Sequence, residues 1–411
     1  MRAYAALRVP MSRSYLGYSA LAMMADSIEH VISYWMIFTK FHSPALAGFA
    51  VVAHWVPFLL FSIWAGSLAD RYDPRRVIQI GMGLFMLVSL GWGLLFLTDS
   101  IAWWHAVVLL VIHGFAGVLW SPAGQLLLHD IVEERQLQSA IRLLATFRTL
   151  GFLLGPAIGA ALLWLAGPSL GILINVLIYV PLTLWLIRYP RKVHTQSGHS
   201  ARVASSLSDM FQTVRQIHGI PVVFAMTALA ALAASFVGNA HDPQMPEFAR
   251  DLGSGDPGLL YGLLLTANAF GAITAGIILE SRGLLNAHPR TAFILGLGWS
   301  LAIFGFAISP YYPLSFVLLV CAGFLDLSFN SMTRTLAQLY SPPAIRGRAI
   351  GLFNVGSLGC RTFSGITVGF GGGLVGIHWS LAVSALALML SILLLFRWAE
   401  QVGATQLHAS S

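Results

Sequence analysis

Charge is what this sequence has least of. Lysine, arginine, aspartate and glutamate make up only 9% of its 411 residues, against about a quarter in soluble domains. A water-soluble core with a polar coat is thereby excluded. Cysteine is nearly absent, and Cys321 and Cys360 both sit in apolar runs, which excludes a disulfide framework and a thiolate metal site. No nucleotide-binding glycine loop occurs, so ATP is not the direct energy source. The loops are mostly too short to build an active site and carry no hydrolase or transferase constellation, so neither enzymatic activity nor a cofactor is expected. The remaining histidines make no metal-ligating set. The opening MRAYAALRVPMSR lacks a short apolar region with a small-residue cleavage site and reads as a cytoplasmic tail rather than a signal peptide.

What is abundant is apolar sequence, at 57% of the chain with a mean hydropathy of +0.76. Runs of about 20 apolar residues, long enough to cross roughly 30 Å of hydrocarbon as helices, recur from end to end. The expected fold is an all-α membrane protein with twelve transmembrane helices in two six-helix bundles. The spans are placed at 14–39, 45–69, 76–97, 102–124, 138–165, 168–188, 220–243, 258–280, 291–309, 312–336, 348–372 and 377–397. The longest polar break, from Arg188 to Gln216, separates residues 1–188 from residues 220–411, with 189–219 as a central cytoplasmic loop. Of the 23 lysines and arginines, all but Lys40, Arg250 and the intramembrane Arg148 and Arg361 then fall on one side. That asymmetry puts both termini in the cytoplasm and accounts for the net charge of +7 without nucleic acid as a partner.

The halves resemble each other at an offset of 213 positions, the distance from Asp26 to Asn239. The offset lays Pro44 on Pro257, Gln125 on Gln338, Arg135 on Arg348, Arg148 on Arg361 and Gly159 on Gly372. It also places Glu29 over Asp242 and His113 over Asp326, so rare intramembrane polar residues coincide. Two parallel repeats with a site between them near the midplane is a common plan of secondary transporters.

Two motifs stand out. GSLADRYDPRR, Gly66 to Arg76, places charges directly after the second apolar run, with a glycine four residues before Asp70 that would let another helix pack closely. Asp70 would face a helix N-terminus or pair with the neighbouring arginines; the alternative is a charged loop obeying the positive-inside rule. In the fifth span, GFLLGPAIGA sets Gly151, Gly155 and Gly159 at four-residue spacing, which permits close helix contact, and Pro156 frees a carbonyl and bends the helix.

Together these segments resemble the major facilitator superfamily. The first is similar to its loop signature G-x-L-A-D-R-x-G-R-K, with Asp73 in place of the second glycine. The second is similar to the exporter motif G-P-x-x-G-G, with Ala160 in place of the last glycine. PEFARDLGSGDPGLLYGLLLTANAFGA and RTLAQLYSPPAIRGRAIGLFNVGSLG resemble the exporter group that includes the enterobactin exporter and, more distantly, the lysophospholipid transporter. The resemblance implies two bundles around a cavity lined chiefly by helices 1, 4, 7 and 10, alternately open to each side. It also implies a cytoplasmic gate latched by Gly66, Asp70, Arg71 and Arg75.

The residues that carry chemistry are the ionisable ones inside the spans. Asp26 lies thirteen residues beyond Arg13, which at 1.5 Å per residue is about 20 Å and near the midplane. Asp26, Glu29, His30 and Ser33 follow i, i+3, i+4 and i+7 and so share one face. Facing lipid, each carboxylate would cost several kcal/mol, so this face is expected to meet the cavity or a neighbouring helix. A carboxylate there can change protonation as the cavity opens to different sides, and Glu29 or Asp26 is the expected proton carrier. The alternative is a static polar cluster paired with Arg148. Arg148 and Arg361 occupy matching depths, and for Arg148 a carboxylate partner is favoured over contact with an anionic substrate. Asp326 is the second candidate carrier, with Asn330 and Thr333 on its face and His113 opposite; Asn239 and Asp242 repeat the Asp26–Glu29 spacing. Phe115, Trp120, Phe324 and Phe329 are candidate cavity aromatics.

The expected function is therefore that of a monomeric, proton-coupled exporter in the plasma (inner) membrane, with protons and a small amphipathic molecule such as a drug or siderophore as its partners. A proton-linked importer of an organic metabolite and a lysophospholipid flippase are the alternatives.

Overall fold

The computed structural model describes residues 5–189, 214–253, 255–282, 288–342 and 345–409, and among these the chain is helical with no strand. Ten helices come first: α1 (Pro10–Phe41), α2 (Pro44–Arg71), α3 (Pro74–Leu97), α4 (Trp103–Ile131), α5 (Glu134–Arg188), α6 (Pro221–Phe236), α7 (Met245–Leu252), α8 (Pro257–Arg282), α9 (Pro289–Ile308) and α10 (Tyr312–Leu339). The short helices α11 (Arg346–Asn354), α12 (Arg361–Ser364) and α13 (Gly371–Val375) are then joined by π-helical stretches at Val355–Gly359 and Gly365–Phe370, and α14 (Ile377–Ala409) ends the order.

Proline sets where many of these helices begin. Its missing N–H costs nothing in the first turn and its fixed φ suits a helix start, and α1, α3, α6, α9 and α10 all carry one there. The 55-residue α5 is two helical rods in series. At Gly167 φ is +74° and ψ 172°, a conformation that demands glycine, and Pro168 starts the next rod. The break falls between the expected spans 138–165 and 168–188.

Eight helices among the described residues are long and apolar enough to cross a membrane, α5 counting once. The expected first span lies in α1, whose midspan acids make it the most polar of the long helices. Expected span 220–243 departs most from its placement. Its helix, α6, stops at Phe236, and Gly238 takes a left-handed φ of +47°. Asn239 consequently lies in the turn beyond the helix end, and Asp242 opens a short 3-10 helix, Asp242–Gln244, so the two do not share a helical face.

The chain divides into two compact units. Unit 1 comprises Met1–His42 with Val56–His199, and unit 2 comprises Ser43–Trp55 with Ser200–Ser411. The opening turns of α2 thus belong with the second half of the sequence, which the run of spans along the chain did not foretell. Close glycine packing accounts for it. A Cβ on Gly48 would stand 2.5 Å from Gly369 Cα and 2.6 Å from the Gly365 carbonyl oxygen, so this helix-to-helix approach exists only because the side chains are absent. Of the expected central loop, residues 190–213 lie outside the described residues.

In unit 1, the glycine stripe of α5 clasps α1. A Cβ on Gly151 would lie 2.1 Å from the Ala20 carbonyl oxygen, one on Gly155 2.3 Å from Ser27 Cβ, and one on Gly159 3.0 Å from Val31 Cβ. Pro156 lacks the N–H that would bond the Phe152 carbonyl, and Ser27 Oγ donates to that oxygen instead, at 3.2 Å. Helix packing thus repairs the defect that the proline makes. At Gly66, by contrast, an added Cβ meets nothing within 4 Å among the described residues.

Overpacking costs about 1–3 kcal/mol where neighbours cannot move, and at Gly151 the neighbour is backbone. Gly151→Val is therefore expected to lower the thermal unfolding midpoint in detergent and reduce the folded yield, whereas Gly66→Ala leaves both unchanged.

Candidate functional site

Each unit holds a polar cluster in its interior. In unit 1, α1 runs unbroken through the Asp26–Ser33 stripe, so the helical phase inferred from spacing holds. Glu29 is only 2% exposed. Its carboxylate accepts hydrogen bonds from Ser89 Oγ on α3 and from His113 Nδ1 on α4, the latter at 2.6 Å. The other ring nitrogen, Nε2, lies 3.2 Å from Asp26 Oδ1. One imidazole on α4 thus stands between the two carboxylates of α1.

The surroundings hold that ring in place. Phe85 meets His113 edge-on at 4.9 Å and stacks on Tyr179 at 5.3 Å, with planes 3° apart. Asn175, in the second rod of α5, donates from Nδ2 to the Ala25 carbonyl at 2.9 Å and to Ser89 Oγ at 3.4 Å. His30 Nδ1 lies 2.8 Å from the Asp26 carbonyl oxygen. That oxygen can only accept, so this nitrogen carries the hydrogen. Ser33 Oγ donates to the His30 carbonyl at 3.3 Å. Both of these side chains are tied to the α1 backbone.

The chemistry follows from counting protons. Both nitrogens of an imidazole carry hydrogen only in the imidazolium form. Two carboxylates and an imidazolium sum to a charge of −1, and one further proton brings the set to neutrality.

Arg148 departs from expectation. No carboxylate pairs with it among the described residues. Its guanidinium carbon lies 4.4 Å from the centre of the Trp120 ring, where the π face offsets its charge, and its Nε and Nη2 are buried without hydrogen-bond partners. Room for it exists because position 124 is glycine, where a Cβ would come within 2.3 Å of Nη2. Tyr15, which donates to the Gly124 carbonyl at 2.7 Å, completes the wall. The carboxylates of α1 are bridged by His113 instead, because its ring lies directly across from them.

At one end of unit 1, Asp73 caps α3. Its carboxylate accepts from the Arg75 backbone N–H at 3.0 Å and from the Arg75 side chain. Arg75 Nη1 also donates to the Tyr189 carbonyl, and Tyr189 Oη donates to the Asp130 carbonyl at 3.0 Å. The aspartate that replaces a glycine of the loop signature is therefore an N-cap. Arg75, expected in a gate latch, makes these bonds within unit 1. Arg71 is exposed, and the side chain of Asp70 lies outside the described residues.

In unit 2, Asp326 and Asn330 on α10 and Arg361 on α12 line one narrow cleft, with Trp299, Phe329 and Ser357. Asn330 Nδ2 donates to Asp326 Oδ1 at 2.8 Å. Arg361 Nε donates to the Ser357 carbonyl at 3.3 Å, and the guanidinium lies over the Trp55 ring at 4.9 Å. Asn239 accepts from Trp55 Nε1 at 3.1 Å, so it holds the ring on which Arg361 rests. Asp242 lies 3.5 Å from His241 Nε2, away from the helical register that its spacing suggested.

Ser89, Asn175, Tyr179 and Trp55 were missed as partners by sequence reasoning. Asn175 is the one with a legible signal, being a lone amide in an apolar run. A serine or a single aromatic in a span carries none.

Helices of membrane-crossing length around buried ionisable groups define a polytopic membrane protein, and the comparisons with known proteins place it in the major facilitator superfamily. The chain belongs to the transmembrane secretion effector family of that superfamily, whose pattern matches residues 1–411; its relatives are transporters, not enzymes. It is 20% identical to the staphyloferrin A transporter of Staphylococcus aureus, across 80% of this chain and 81% of that protein. It is 25% identical to the enterobactin exporter EntS of Shigella boydii, across 76% and 73%. Among solved structures, a bacterial homologue of the human lysosomal transporter Spinster, inward-facing and unoccupied, superimposes with a TM-score of 0.69 at 14% identity, over 97% of this chain and 98% of that one.

Removing one partner of a buried charge set costs about 3–5 kcal/mol. His113→Ala is expected to lower the unfolding midpoint in detergent sharply, and adding Asp26→Asn and Glu29→Gln recovers most of the loss. A triple variant no more stable than the single one would show that the carboxylates are not what His113 holds.

Proposed function

We propose that this protein is a proton-coupled exporter of a small amphipathic molecule, such as a drug or a siderophore, working by alternating access as a monomer. It sits in the plasma membrane with both termini in the cytoplasm, the orientation that the lysine and arginine distribution supports. The observation that carries the reading is the Asp26–His113–Glu29 set, in which one imidazole stands between two carboxylates. A set that moves between −1 and neutral at the cost of one proton suits a coupling site, because burial makes each state sensitive to what opens beside it. Glu29 is the proposed carrier. It has the least exposure of the three and takes hydrogen bonds from two other helices. Asp326 in unit 2 is the second candidate. Export is favoured over import by the Gly151–Gly155–Pro156–Gly159 segment and by the exporter among the relatives.

Coupling between two ligands is reciprocal and amounts to about 5–150-fold in affinity. Substrate affinity in the native protein is therefore expected to change by that order between two pH values on either side of the proton's release. In Glu29→Gln the pH dependence disappears while binding itself persists. Unchanged pH dependence in both Glu29→Gln and Asp26→Asn would remove the carrier role. Direction is read in inverted vesicles: substrate-driven release of protons from an acidified lumen marks antiport, co-directional movement marks an importer-type symport, and uptake of lysolipid by proteoliposomes marks a flippase.

A further inference from the structure

Beyond the end of α6, unit 2 carries a buried histidine, His241, which is only 4% exposed. The turn that holds it is fixed on both sides. Gly238 makes the bend with its left-handed φ of +47°, and a Cβ there would stand 2.7 Å from Ser364 Oγ. Asn239 accepts from Trp55 Nε1 at 3.1 Å, and Gln244 Nε2 donates to the Pro44 carbonyl at 3.0 Å. His241 lies between these two anchors, so the backbone imposes its burial.

Neither ring nitrogen of His241 has a hydrogen-bond partner among the described residues. A neutral imidazole here buries a donor and an acceptor that meet nothing, which is costly. An imidazolium instead gains Asp242, whose Oδ1 lies 3.5 Å from Nε2. More charge stands nearby. Asp326 on α10 lies in the field of Arg361, His241 and Asp242, and Arg361 on α12 in that of Asp326, Asp242 and Arg334. Arg334 is eight residues along α10 from Asp326, about 12 Å at 1.5 Å per residue, and stands outside the group. The helix leading to the turn, α6, has no charged residue. Two carboxylates, a guanidinium and a neutral imidazole sum to −1, and one proton makes the sum zero.

That is the same charge count as the Asp26–His113–Glu29 set of unit 1. The 213-residue offset lays Glu29 on Asp242 and His113 on Asp326, so unit 2 has acids at both places and its imidazole one residue away from the first. We infer that His241, with Asp242, Asp326 and Arg361, forms a second proton-binding set, and that the imidazole is where its proton sits. Asp242 is the entry point, because its side chain is 25% exposed against 5% for that of His241. The inference concerns unit 2 alone and does not rest on the unit 1 set being the coupling site.

The test follows protons directly, by NMR of the full-length protein in detergent with isotope-labelled histidine. The His241 signal is the one missing from the His241→Gln spectrum. In the native protein that signal is expected to titrate between a protonated and a neutral form within the pH range where the protein stays folded. Removing the near carboxylate in Asp242→Asn weakens proton binding about tenfold or more, the scale for one adjacent opposite charge. Removing the like charge in Arg361→Gln strengthens it. A general loosening of the fold would carry both variants toward a free imidazole and cannot move them in opposite directions. A signal that does not titrate, or a proton affinity that either variant leaves unchanged, overturns the inference. Glu29→Gln separates the two readings: it removes the pH dependence proposed for unit 1 and leaves the His241 titration as it was.

Discussion

Placing two carboxylates at the middle of a membrane helix sets the terms for all of unit 1. An acid at the centre of a lipid-facing helix costs about 2.5–3.5 kcal/mol on the most lenient scale, so α1 must be covered on its polar side by helices that bring donors. The structure meets this from three directions, with Ser89 from α3, His113 from α4 and Asn175 from the second rod of α5. These bonds also fix how those helices stand around α1. On its other side, α1 approaches α5 so closely that glycine is required at three successive turns. Close packing and charge burial are therefore one constraint seen from two faces of one helix.

Unit 2 solves a similar problem by different means. Its two intramembrane charges are kept apart, the guanidinium on an aromatic face and the carboxylate on a neighbouring amide. In unit 1 the charge set is closed upon itself, whereas in unit 2 it remains open to a cleft. Both arginines rest on tryptophan rings, whose π faces offset part of a buried guanidinium's charge.

How much was legible beforehand depended on whether the signal was local. The face formed by Asp26, Glu29, His30 and Ser33 needed only the helical repeat. The Gly151–Gly159 clasp needed only small residues at one spacing, and the break at Gly167 fell between the spans placed at 138–165 and 168–188. The repeat offset was less reliable. It paired Asn239 and Asp242 with Asp26 and Glu29, but α6 ends at Phe236, Asn239 lies in the turn that follows and Asp242 starts a separate 3-10 helix. Matching positions share ancestry or register; they need not share backbone conformation, which Gly238 changes.

Sequence alone determined the class: scarce charge, recurrent apolar runs and ionisable residues at membrane depth admit little else, since lipid offers backbone and charge no hydrogen bonds. It also determined which residues are too costly to be idle. Only the tertiary structure decided whom they meet. His113 rather than Arg148 serves Asp26 and Glu29, Asp73 caps a helix where a glycine was expected, and the first turns of α2 join the second unit. Each of those outcomes depends on distances between helices remote in the chain, and helical periodicity orients a side chain around its own axis without saying which neighbour stands opposite.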